Sequence, residues 1–264
     1  MPVKKSVLWY LSLLVSLLVV FVAAFGLAKP SIYKARLNTI SPAELLGQDL
    51  VSLLVGVLCL VILLAYRPAK RLLAVAWLGC LTYFAYIYAY FCFSLVSSVL
   101  FLAYLAIFGL ALFCFVFLLA AMNRSVDGLV VNPRYPRRAL SVFFAAVVVI
   151  MLGIELPYMV QTTIVAGGSL KLFDAFYILD LAIVFPAMII AAVLNWRKKT
   201  IGHLLTGVIL VKVLTIMPAL LFNDLFHWLE TGKFLDIAFD FVALTFTACA
   251  GIFLFAYHRG IRSL

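Results

Sequence analysis

Charge is scarce in this chain. Of 264 residues only 10 are acidic and three are histidine, and charged residues make up 11% against 67% apolar. A soluble domain of this length cannot cover that much apolar surface with so little polar surface. Cysteine is also sparse: Cys59, Cys80, Cys92, Cys114 and Cys249 all lie inside apolar runs, and none forms a CxxC pair. They read as small packing residues rather than metal or redox groups. HExxH, GxSxG and a glycine-rich loop after a strand are missing, and no span carries the histidines of a membrane metal enzyme. Basic residues are in excess, with a net charge of +10, but they form no stripe or arm. Nucleic-acid binding is therefore rejected. Neither a cofactor nor a metal is expected.

What is abundant is apolar length. A helix needs about 20 residues to cross a hydrocarbon core of roughly 30 Å. Eight runs qualify, over 7–27, 50–66, 72–93, 95–121, 139–161, 174–195, 201–222 and 235–257. Barrel-like alternation is absent, and a lone strand cannot satisfy its backbone in lipid, so all are helices. The expected fold is all-α, a polytopic transmembrane bundle of eight spans forming one domain over 1–264.

Orientation follows from the basic residues. With the N-terminus inside, the inner segments carry fourteen: Lys4, Lys5, Arg67, Lys70, Arg71, Arg124, Arg134, Arg137, Arg138, Arg197, Lys198, Lys199, Arg259 and Arg262. The outer segments carry Lys29, Lys34, Arg36, Lys171 and Lys233. The bias repeats at every connection and predicts N-in, C-in. Lys4 and Lys5 ahead of an apolar run ending in AFGLA are reminiscent of a signal peptide. That run exceeds the usual 7–15 residues, so an uncleaved first helix is expected. GQDLV before the RPAKR turn and ILDLA before WRKKT suggest two parallel four-span halves, 1–121 and 139–264.

Lys212, in GVILVKVLTIMP, is the twentieth basic residue, and the rise per residue places it about 16 Å into span seven. Glu155 falls some two-thirds of the way out along span five. Asp180 and Asp240 fall about 8–9 Å below the outer ends of spans six and eight. Charges at such depth face a bundle interior or a wet cavity and pair with one another. Asp180 is the expected partner of Lys212, with Glu155 next. Asp49 and Asp236 are shallower and are expected to reach water. Pro157, Pro186 and Pro218 stand close to three of these charges, and broken helices beside intramembrane charges suit a binding site. A buried ion pair can also serve only to fix helix assembly.

Tyrosines extend the polar face. Tyr158 and Thr162 share a face with Glu155, and Tyr83, Tyr86 and Tyr90 line one face of span three. Such a stripe is commonly interior packing, and its functional reading is the wall of a cation or aromatic cavity. The outer connection NDLFHWLETGKFLD places Asp224, His227 and Glu230 at successive threes. It is expected to form an amphipathic helix in the headgroup layer rather than a metal site. His203 and His258 are expected at the inner interface.

SPAELLGQDL, LGCLTYFAYIYAYF and ILDLAIVFPAMIIAAVLNWRKKTIGHLLTGVILVKVLTIM resemble a family of uncharacterised prokaryotic multipass membrane proteins. The resemblance covers spans two, three, six and seven. It implies the plasma membrane of a bacterium or archaeon and carries no activity. The leading expectation is a carrier for a small solute with proton or cation coupling, using Glu155, Asp180, Asp240 and Lys212. A membrane sensor or accessory subunit with the same cavity is the alternative, and a membrane-embedded enzyme is a more distant one.

Overall fold

The computed structural model describes residues 7–34, 43–67, 71–95, 98–124, 129–131, 135–165 and 174–263. Lys4, Lys5, Arg36, Lys70, Arg134 and Lys171, part of the charge bias, lie outside the described residues. Helices α1 (Val7–Ala28), α2 (Ser31–Lys34), α3 (Ala43–Ala65), α4 (Arg71–Ser94) and α5 (Phe101–Arg124) build the first half. Then come α6 (Arg137–Val160), α7 (Asp174–Leu179), α8 (Phe185–Trp196), α9 (Thr200–Thr231) and α10 (Ile237–Gly260). Single π-helical turns, Gln161–Val165 and Asp180–Val184, follow α6 and join α7 to α8. Eight helices among the described residues are long and apolar enough to cross a membrane, with α7, its π-turn and α8 acting as one.

Apolar side chains outside the core, such as Leu64, Leu102, Val149, Phe241 and Ile252, are exposed around the bundle. Water would penalise such a surface and hydrocarbon would not. The same composition therefore selects lipid on the outside and leaves the few polar groups inside.

Helices α4 and α9 are the most enclosed spans and α10 the least. The principal pairings are α1 on α3, α4 on α5, α6 on α8 and α9 on α10, with α9 also packed on α3, α4 and α8. Strands β1 (Leu129–Val131) and β2 (Ile261–Ser263) pair antiparallel, Val130 opposite Arg262. That ladder holds the α5–α6 connection and the C-terminal tail on one face, as the charge bias requires.

Two helix bounds differ from expectation, and both bear on the site. Helix α3 starts at Ala43, so Asp49 lies well inside it. Helix α9 runs unbroken through Pro218 to Thr231 and stops where Gly232 adopts φ 74°. NDLFHWLET is thus the last part of a spanning helix rather than a separate interfacial one. Polar Asn223 and Asp224 sit there buried, on the face turned to the rest of the bundle.

Candidate functional site

Span seven supplies the deep cation. Lys212 Nζ lies 3.9 Å from Asp180 Oδ1 and 3.8 Å above the ring centre of Tyr86. The Tyr86 hydroxyl faces the Asp180 carboxylate, so one tyrosine supports both members of the pair. Lys212 is buried, and so is Glu155, whose Oε2 has no hydrogen-bond partner. Taking such charges out of water is costly, and only pairing and hydrogen bonding offset the cost.

The backbone around this pair is irregular for identifiable reasons. Pro186 has no N–H to give the carbonyl one turn back, and the preceding turn widens: the Phe185 N–H reaches the Asp180 carbonyl. A π-turn inserts one residue and rotates the helix before it relative to the helix after it. On α6, Pro157 likewise precedes the turn Gln161–Val165.

These elements enclose a cavity of about 360 Å³ between α4, α6, the α7–α8 span, α9 and the start of α10. Glu155, Asp180, Lys212 and Tyr86 lie part-way along it, and its outer end holds Asp224, Asp236 and Asp240. The remaining walls are apolar and aromatic, including Met151, Phe176, Tyr177 and Phe239. Five carboxylates and one lysine line it, with no other basic side chain among the lining residues.

Several expected positions are redistributed. Asp240 is not beside Glu155 and Asp180. It faces Asp224 at the outer end of the same cavity, where the exposed Asp236 also stands. Tyr83 points the other way, sharing a hydrogen bond with Ser52 at 3.0 Å and donating to the Gln48 carbonyl at 3.3 Å. Tyr90 stacks on Phe176 with ring centres 3.6 Å apart, behind the cavity wall. Tyr158 is 37% exposed and packs on Tyr177. Among the predicted tyrosines only Tyr86 lines the cavity; Tyr177 takes the place expected of Tyr158.

Other polar groups went unrecognised. Asp49 does not reach water: it is fully buried and accepts a 2.7 Å hydrogen bond from the Tyr33 hydroxyl. Asp224 Oδ1 accepts the Leu235 N–H at 2.6 Å, tying the entry to α10 back onto α9. Asn223 lines the cavity and also accepts the Gln48 N–H at 3.1 Å. His203 is buried rather than interfacial, 2.8 Å from Asn195 Oδ1. Asn195 in turn donates to the Ser141 hydroxyl and the Arg137 carbonyl, which closes the bundle on its basic side. No group of three His, Cys, Asp or Glu side chains among the described residues is arranged to hold a metal ion.

Fold and site together define an integral membrane protein of eight spans with an internal, acid-rich cavity. Comparison of the chain with protein-family models, with curated proteins and with solved structures finds no match. The functional reading rests on the cavity itself.

Proposed function

We propose that the protein is a carrier for a small, positively charged or amine-bearing organic solute, coupled to a proton or cation. The observation that carries the reading is the cavity's charge balance, five carboxylates against one lysine within walls of aromatic and thioether side chains. Its volume is at the lower end of the roughly 300–1,000 Å³ usual for small-molecule sites. Aromatic faces and buried carboxylates both attract a cation, and a site rich in them disfavours anions.

In this reading a solute enters past Asp224, Asp236 and Asp240. Its positive group then competes with Lys212 for Asp180, while Glu155 exchanges the proton or cation that balances charge. The π-turns beside Pro157 and Pro186 are where the walls bend, because unwound backbone in a membrane is tolerated where it lines a cavity. Plasma-membrane location is part of the same proposal, supported by the charge bias of the connections.

The test is uptake into proteoliposomes of a panel of radiolabelled amines, amino acids and carboxylates. Saturable uptake of an amine or amino acid that Asp180→Asn and Glu155→Gln abolish supports the reading. Saturable binding of such a solute without uptake would instead favour a sensor built on the same cavity.

A further inference from the structure

A second polar cluster lies in the other half of the bundle. Asp49 is fully buried on α3, six residues from its start, and its Oδ1 has no hydrogen-bond partner. Buried around it are Tyr33 from α2, Tyr88 from α4 and Tyr104 from α5, with Ser52 one turn along its own helix. Tyr33 donates to Oδ2. The Tyr104 hydroxyl approaches Tyr33 and Ser98, and the Tyr88 hydroxyl approaches Ser52, yet neither completes a hydrogen bond. Among the residues whose side chains are described, no lysine or arginine makes an ion pair with Asp49. On the α1 side, Gly26 leaves room for this carboxylate: a methyl group there would run into Asp49 Oδ2 and the Tyr33 hydroxyl.

Buried polar atoms in folded proteins find partners, and three oxygens in one neighbourhood here have none. A proton on Asp49 supplies one donor. A bound cation takes the carboxylate oxygen and the two phenol oxygens together. All the groups are hard oxygen donors, which suit alkali or alkaline-earth ions rather than soft metals. One carboxylate balances one positive charge, which selects a monovalent ion.

We propose that Asp49, Ser52, Tyr88 and Tyr104 form a closed site for one dehydrated monovalent cation of the sodium class. The proposal goes beyond the carrier reading and holds whether or not a solute is moved. It also connects to the cavity. The residue before Asp49 gives its backbone N–H to Asn223, a cavity-lining side chain, and Gly47 allows α3 to approach α9 closely at that point. One hydrogen bond thus joins the helix that carries Asp49 to a residue of the cavity wall.

The experiment is binding of radioactive sodium to the detergent-purified full-length chain by scintillation proximity, with lithium, potassium and pH as competitors. Wild type is expected to show one saturable site per chain, and Asp49→Asn to abolish it. Tyr88→Phe and Tyr104→Phe keep the rings and lose one oxygen each. They are expected to weaken binding roughly tenfold with unchanged gel-filtration profiles, and they decide the matter if Asp49→Asn fails to fold. A sodium signal that Glu155→Gln removes and Asp49→Asn leaves intact would place the ion in the cavity and overturn the proposal. The proposal is overturned if wild type binds no sodium saturably, including the case of a proton-only site in which Asp49→Asn changes just the pH dependence of stability. It is equally overturned if both phenylalanine variants, or Asp49→Asn, bind sodium as wild type does.

Discussion

At the scale of single residues, the cost of burying charge decides the outcome. Lys212→Ala leaves Asp180 and Glu155 in the interior without a counter-charge. Breaking a buried pair costs on the order of 3–5 kcal/mol, so this variant should show a large loss of thermal stability in detergent. Adding Asp180→Asn removes the acid that Lys212 directly pairs with and should recover part of that stability while binding stays lost; a double variant as unstable as the single one contradicts the pairing. Tyr86→Leu should cost about 0.5–2 kcal/mol more than Tyr86→Phe, because only the aromatic ring can face the ammonium. Tyr33, outside the spans, offers a pH test. Burial, and after it the Asp49 charge, hold its phenol well above its ordinary range. Below about pH 10 the folded and unfolded chains both keep this proton, and its contribution to stability is fully present. As pH rises further, the unfolded chain releases the proton and the folded chain does not, so stability falls. Tyr33→Phe should make the alkaline loss of melting temperature shallower, and an unchanged slope would show that Tyr33 does not supply it.

At the scale of elements, the π-turn Asp180–Val184 is the feature that sets which way Asp180 faces. A π-turn is one residue more than an α-helix needs, so deletion of Leu181 should restore regular helix and turn Asp180 about 100° away from Lys212. The expected result is preserved helicity by circular dichroism with loss of any solute or proton coupling that wild type shows. Retained coupling would mean that the turn is incidental. The elements also show what could be read from sequence. Lys212 and Asp180 were legible because charge in an apolar run is costly wherever it falls, and depth comes from counting residues. Asp49 was not legible, because depth was counted from the start of the apolar run. Helix α3 begins seven residues earlier, at Ala43, in a segment that meets α1 at Gly26, α9 at Asn223 and α2 through Tyr33. The tyrosine stripe of α4 was half legible. Tyr83 and Tyr90 do share a helix face, but α4 is surrounded, and crossing neighbours meet that face at different heights. The neighbour of Asp240 was not legible, because depth alone does not say that it meets Asp224 within the same cavity.

At the scale of the whole molecule, eight spans, their order and the common side of both ends were readable from apolar length and basic connections. Which helices lie at the centre was not. That position depends on which faces carry the small and polar groups, and nearly every face of these helices is apolar. The resulting bundle has an acid-rich cavity reaching outward and a polar knot of His203, Asn195, Ser141 and Tyr135 closing its basic side. A carrier must open that closed side in turn, whereas a receptor need not. Ile209 lines the cavity about one turn from Lys212 toward the basic face. The most direct measurement is labelling of a single cysteine, Ile209→Cys with the five native cysteines replaced, by a membrane-impermeant maleimide. The reagent is applied to one side and then the other of oriented vesicles. Alternating access predicts labelling from both sides, with Lys212 and Asp180 substitutions shifting the ratio between them. Labelling from the outer side alone, under every condition, would contradict transport and leave a cavity that only binds.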